Sequence, residues 1–267
     1  MRKKILAVII ILVMILTGVN IPAGSNKLDV HAETMTYTSG VYEYTLNEDG
    51  EANITKFTGN DVNVQIPDDV DGHSVVCLGN SLFANKKTVK SVDIPNTVQT
   101  IGDYAFAGTS VSKLELPKQL KNMGAGILRG AKGVTEITIP QGVTGAGGAF
   151  AGSSIEKAIL TEGITKIPSS IFSECSTLKE VVIPDSVTVI GDRAFDRCTQ
   201  LSNIDLPNTI TRIEDYAFAV TSLSKLELPK QLKSMGAGIL REAKGVTEIT
   251  IPQGVTGAGG AFAGSSI

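Results

Sequence analysis

The feature that most constrains this chain is a proline column. Pro67, Pro95, Pro117, Pro140, Pro184, Pro207, Pro229 and Pro252 each follow Ile or Leu, and the spacing settles near 23 residues. The long interval between Pro140 and Pro184 holds one further unit, in which Leu160 and Thr161 replace the dipeptide. Self-similarity at this period is the mark of a solenoid, whose units bury a core only by stacking on their neighbours. Within the unit from Leu178 to Leu201, Val181 and Ile183 alternate with Glu180 and Val182, the period of a strand with one face toward a core. Pro184 cannot donate to a backbone ladder and so ends the strand. Val187 and Ile190, three apart, then point inward from a second, irregular segment. The Gly191–Phe195 stretch after it is long enough for a single helical or 3-10 turn.

Phenylalanine supports the same stacking. Phe83, Phe106, Phe150, Phe172, Phe195, Phe218 and Phe262 share one repeat position, Leu128 and Leu240 take it in two other units, and Phe57 alone lies outside. A spine of core rings is the expectation, and an aromatic ligand box the alternative. A longer repeat overlies the short one. Residues 95–155 recur at 207–267, shifted by 112, with eight differences, among them Gly102/Glu214, Gly108/Val220 and Gly130/Glu242. Bulkier residues in the second copy imply that the backbone at these three positions needs no positive φ.

Laid out by unit, the stretches from Ile94 to Phe106 and from Ile183 to Phe195, each with its Ile-Pro, its Ile-Gly-Asp and its Ala-Phe, resemble the BspA-like leucine-rich repeats of bacterial surface proteins. The resemblance covers residues 62–267. It implies a leucine-rich-repeat solenoid, a right-handed coil with a parallel β-sheet on the concave face and short turns or 3-10 segments on the convex face. It also implies a non-enzyme that acts in adhesion or interaction outside the cell. Two units, at Met123–Leu128 and Gly145–Phe150, lack Ile-Gly-Asp, and the second is one residue short between Val143 and Phe150, so irregular convex sides are expected there. Upstream, alternating runs around Tyr42–Leu46 and Ala52–Thr55 flank Asp49-Gly50, a hairpin signal. The expected organisation is a signal peptide over 1–32, a β-hairpin cap over 33–61, and about nine coils over 62–267 with the last incomplete.

The signal reading rests on Arg2, Lys3 and Lys4 before the apolar run Ile5–Leu16, with Val30, His31 and Ala32 before the expected cut. A dozen apolar residues fall short of the ~20 that span a bilayer, so no membrane span is expected after cleavage. Loss of residues 1–32 takes the formal charge from −3 to −6. Such a balance leaves no basic surplus for nucleic acid. The expected partner is an extracellular protein or cell-surface macromolecule, with self-association through an uncapped C-terminal end as a further expectation. Ile267 matches Ile155, after which a strand follows, so the chain is expected to continue. A structural spacer, or the repeat portion of a longer surface protein carrying another module beyond residue 267, is the alternative function.

No cofactor motif is apparent. Gly142–Gly152 lacks the Lys-Ser/Thr of a phosphate loop and reads as a close-packed turn. His73 reads as an exposed loop histidine without a metal or triad partner. Asp103, Asp192 and Asp215 recur one per coil and read as caps of short helical turns, with calcium the weaker reading. Cys175 and Cys198, 23 apart, should stack in adjacent coils. Free buried thiols are the expectation and a disulfide the alternative, with Cys77 unpaired in either case. The candidate binding surface is the concave face. Its first outward column runs through Lys113, Glu136, Lys157 and Glu180, alternating in sign as a ladder would, and on to Asn203. Its second runs through Glu115, Thr138, Ile159, Val182 and Asp205, a small aliphatic strip bounded by acids.

Overall fold

The computed structural model describes residues 35–257 and 259–267. The segment read as a signal peptide lies outside the described residues. The chain winds as a solenoid, and adjacent coils are joined along three hydrogen-bonded columns.

The first column is the strand set read from the proline pattern. β4 (Asn63–Gln65) pairs in parallel with β7 (Ser91–Asp93), which bridges on to Lys113. β10 (Glu136–Ile139), β11 (Lys157–Leu160) and β13 (Glu180–Val182) form a separate parallel ladder in continuous register. Alternation decides their faces: Ile137, Ala158 and Val181 are buried, whereas Glu136, Glu180 and Val182 are exposed.

The second column was expected to be irregular and is instead a ladder of short parallel strands. Cys77 and Leu78 at the end of β6 (His73–Leu78) pair with β8 (Thr100–Ile101), which pairs with β9 (Asn122–Met123) and bridges to Gly145. A second series runs through β12 (Lys166–Ile167), β14 (Val189–Ile190), β15 (Arg212–Ile213) and β16 (Ser234–Met235) to Thr256. The two series part between Gly145 and Lys166, in the unit that is one residue short.

The third column replaces the expected helical or 3-10 turn. In each coil the residues two before and two after the spine position are left-handed, for example Tyr104 and Gly108 around Phe106, and Arg193 and Arg197 around Phe195. This alternation turns three N–H groups outward along the solenoid. Tyr104, Phe106 and Gly108 donate to the carbonyls of Ala125, Ile127 and Arg129, and Arg193, Phe195 and Arg197 to those of Asp215, Ala217 and Ala219. The coil at Gly145–Phe150 keeps this pattern, Gly148, Phe150 and Gly152 donating to Ser169, Ile171 and Ser173, whereas in the coil at Met123–Leu128 the middle donor shifts from the spine residue to Ile127, so the irregularity expected there is present in its hydrogen bonds. The reading that residues 108 and 130 need no positive φ is overturned: Gly108 and Gly130 are left-handed, and so are Val220 and Glu242 in their places. At Gly102 the reading holds, because neither it nor Glu214 is left-handed.

Between the columns lies the core. Phe83 stacks on Phe106, and Phe150, Phe172, Phe195 and Phe218 stack in succession with centroids 5.5 to 5.8 Å apart. Phe57, read as lying outside, joins them: it is 2% exposed and its ring meets Phe83 at 5.2 Å. It arrives from an antiparallel meander of β1 (Thr36–Ser39), β2 (Tyr42–Leu46) and β3 (Ala52–Phe57), whose last strand pairs in parallel with β6. The Asn47 side chain shapes the β2–β3 turn by accepting the N–H groups of Asp49 and Glu51. β5 (Asp69–Val70) folds back on β6 through left-handed Asp71 and Gly72, the geometry of a two-residue hairpin turn. His73 is therefore not a free loop residue. It opens β6, is partly buried, and its Nδ1–H donates to the Gly50 carbonyl at 2.7 Å.

Candidate functional site

Elementary β-geometry puts every second residue of the longer strands on one outer face. There the register places Glu136, Lys157 and Glu180 in one row and Thr138, Ile159 and Val182 in the next. Lys157 Nζ lies 2.8 Å from Glu180, a contact that holds the lysine above its ordinary range. Lys113 pairs with Glu115 of its own coil at 2.6 Å, not with Glu136 across the ladder. That hydrogen bond raises the Lys113 ammonium and lowers the Glu115 carboxyl. The same arrangement recurs in the second copy between Lys225 and Glu227. Asn203 and Asp205 are exposed on a stretch that forms no strand, beyond the end of the β10–β11–β13 ladder.

The aliphatic strip is present but uneven. Val182 is 43% exposed, and Thr138 two strands away is exposed as well, whereas Ile159 between them is partly buried. Neighbouring strands shield the central side chain of a three-strand ladder, so Val182 and Thr138 are the surface a partner could reach.

Sequence reasoning missed the charges on the second ladder. Lys166 Nζ reaches Glu214 at 3.0 Å across two coils, with Arg212 at 3.7 Å, and Glu214 Oε2 accepts the Asp192 N–H at 3.0 Å. Burial works to raise this carboxyl, but the hydrogen bonds from Lys166 and Asp192 and the nearby Arg212 outweigh it and hold the group low. The Asp column also acts differently from the expected caps. Asp103 and Asp215 each accept the N–H of the next coil, from Ala125 at 2.7 Å and Ala237 at 2.8 Å. Asp192 instead accepts from Arg193, whose guanidinium lies 4.6 Å from the centre of the Tyr216 ring. The Asp103 and Asp215 carboxylates are inter-coil ties, whereas that of Asp192 stays within its own coil.

Cys175 and Cys198 are buried thiols. Each donates to the spine carbonyl of the preceding coil, Phe150 at 3.0 Å and Phe172 at 3.2 Å. Burial pushes Cys175 up to about 11 and raises Cys198 as well, so both stay protonated and unreactive at neutral pH.

Parallel ladders, a one-residue-per-coil spine and an outer strand face define a leucine-rich-repeat solenoid. The BspA type Leucine rich repeat region matches residues 62–179 and 165–267, and the chain belongs to that family. Among solved structures, a leucine-rich repeat protein from Bacteroides ovatus is similar with a TM-score of 0.65 and 24% identity, over 80% of this chain and 64% of that one. This chain thus spans a little under two thirds of that relative. A leucine rich cell surface protein from Faecalibacterium prausnitzii is similar with a TM-score of 0.50 and 25% identity, over 87% of this chain and 82% of the other. A Treponema pallidum leucine-rich-repeat protein shares the fold at 19% identity and a TM-score of 0.50, over 60% of this chain and 88% of that one. No curated protein matches the chain.

Proposed function

We propose that the chain is an extracellular, non-enzymatic protein, secreted or held at the cell surface, that binds a protein or other surface macromolecule through the face of its longer strands. Membership of the BspA-type repeats and the likeness to a bacterial cell-surface protein support the location. So does the basic and apolar N-terminal segment, read as an export signal. The observation that carries the binding reading is Val182. It stands 43% exposed on a regular ladder, in one row with Thr138 and Ile159 and flanked by the Lys157–Glu180 pair. An aliphatic side chain left in water gains most from burial by a partner, and the ion pair beside it would set orientation and salt dependence.

Changing Thr138 and Val182 together to Asp tests this. Both point outward, so the fold should survive, and capture of extracellular-matrix and bacterial surface proteins on a sensor surface should be lost. Asp192→Ala with Arg193→Ala, on the turn side, should leave capture unchanged. If the strand-face variant captures as well as the wild type, or neither captures anything, the chain is better read as a spacer. The unbroken turn column is the feature that favours that second reading, because it ties every coil to the next.

A further inference from the structure

Three clefts on the described surface mix charges. Lys225 lies with Glu227 and Glu248 in one, Lys113 with Glu115 and Glu136 in another, and Arg212 with Asp192, Glu214 and Asp215 in a third. One cleft differs. It measures about 640 Å³, is lined by Asn85, Lys87, Gly108, Ser110, Gly130 and Lys132 among others, and no acidic side chain lines it.

Its charge follows from the repeat. Lys87, Ser110 and Lys132 each stand four residues after a spine position, at Phe83, Phe106 and Leu128, and therefore stack in one column on three successive coils. At ~4.8 Å per coil the two lysines flank Ser110 with backbones roughly 10 Å apart. Neither lysine takes part in an ion pair among the described residues. The N–H of this column turns back on its own chain at Lys87, which donates to Asn85, at Ser176 and at Thr199, but not at Ser222 or Lys244. In this cleft the N–H groups of Ser110 and Lys132 likewise have no hydrogen-bond partner among the described residues. The Asn85 side chain extends over Gly108, where a Cβ would come within 2.5 Å of its Oδ1. Two ammonium groups, two free amides, a hydroxyl and a carboxamide thus surround a space far larger than a lone ion needs.

We infer that this cleft binds a phosphate or sulfate ester carried on a sugar or polyol chain. A ring of donors with no competing carboxylate suits a tetrahedral oxyanion, lysine supplies point charges for it, and the remaining volume accommodates the carrier. The second copy serves as an internal control. Shifted by the same 112 residues, Thr199, Val220 and Glu242 stand where Lys87, just before the first copy, and Gly108 and Gly130 within it do, and Arg197 stands where Asn85 does, which moves one cation, adds an anion and fills the floor. The site belongs to the three coils from Asn85 to Lys132.

Isothermal titration of the full chain with a glycerol-phosphate oligomer and with a sulfated oligosaccharide of equal charge tests the inference and separates the two sources. Binding of either ester at a stoichiometry of one, weakening as salt rises, supports it. Lys87→Thr and Gly130→Glu each rewrite the cleft as its counterpart and should weaken binding at least tenfold. Both should fold, since Glu242 holds the left-handed conformation that Gly130 has, and a Cβ at Gly130 meets nothing within 4 Å. The reverse graft, Arg197→Asn and Thr199→Lys with Val220→Gly and Glu242→Gly, should raise the stoichiometry from one to two. No binding of either ester, wild-type affinity in both Lys87→Thr and Gly130→Glu, or a graft that stays at one would overturn the inference.

Discussion

Residues 95–155 and 207–267 are nearly one sequence written twice, and at three positions a glycine in the first is a larger residue in the second. The backbone does not respond. Gly108 has φ 64° and Val220 φ 55°, Gly130 has φ 69° and Glu242 φ 59°. The inter-coil bonds of the turn column impose the left-handed conformation, and the side chain bears the strain, roughly 1 to 2 kcal/mol per residue. At 102 and 214 the neighbours differ instead. A Cβ at Gly102 would lie 2.4 Å from Asn80 Oδ1 and 2.6 Å from its amide nitrogen. In the second copy Asp192 turns to Arg193, and the Glu214 carboxylate takes the Asp192 N–H. One repeat can thus keep its backbone while its surface chemistry diverges, provided the adjoining coil yields.

The largest test of that equivalence is in the core. Phe106→Ala and Phe218→Ala should each cost ~3 to 5 kcal/mol in urea titrations, because both rings are fully buried with a stacked ring on one side. Costs that differ by more than about 1 kcal/mol would show that the copies share sequence but not packing. Next, Gly102→Glu should destabilise by roughly 1 to 3 kcal/mol, since it forces a side chain against the backbone of residues 79 and 80. The same measurement on Glu214→Gly should lose less, and equal losses would remove the role given to Asn80.

A smaller effect of opposite sign is expected at the strained valine. Val220→Gly should raise stability by about 1 kcal/mol, whereas Gly108→Val should lower it by more than that, because it also displaces the Asn85 amide. Thermal unfolding of the two variants decides it, and a destabilised Val220→Gly would mean that the side chain packs better than its backbone suggests. The smallest effect is electrostatic. Glu214 has its carboxyl held below the ordinary 4.5, so its contribution is present above that pH and is lost as pH falls through the folded value. Wild type should exceed Glu214→Gln by about 0.5 kcal/mol at neutral pH, a gap that closes only in acid below pH 4.5, and the first copy, with Gly102, should show no such window.

The strand column and the phenylalanine spine were legible because burial selects residue type: prolines end strands and rings fill one depth of the core. The left-handed column was not. Ser81, Asn85, Tyr104, Arg193 and Val220 share a conformation with glycines because tertiary hydrogen bonds demand it, and nothing in their chemistry announces it. Phe57 escaped the repeat alignment because it comes from the meander, so its place in the spine is set by the pairing of β3 with β6. On the strand face, the rows could be read from alternation. The lesser exposure of Ile159 could not, because it depends on strands packed on both sides. Lys87 and Lys132 stand 45 residues apart, and only the coil rise brings them to one cleft.

The gaps in the two ladders do not coincide. The longer-strand ladder is interrupted between Lys113 and Glu136 and again after Val182, where the shorter one is paired. The shorter one is interrupted between Gly145 and Lys166, where β10 and β11 carry their full register. Turn bonds cross all of these seams, from Gly126 to Gly148, from Gly148 to Ser169 and from Arg193 to Asp215. The arrangement is that of brickwork with offset joints. A crack opened by pulling on the chain would meet an intact course at every joint, so tension applied at one end would be shared among coils before any single one parted.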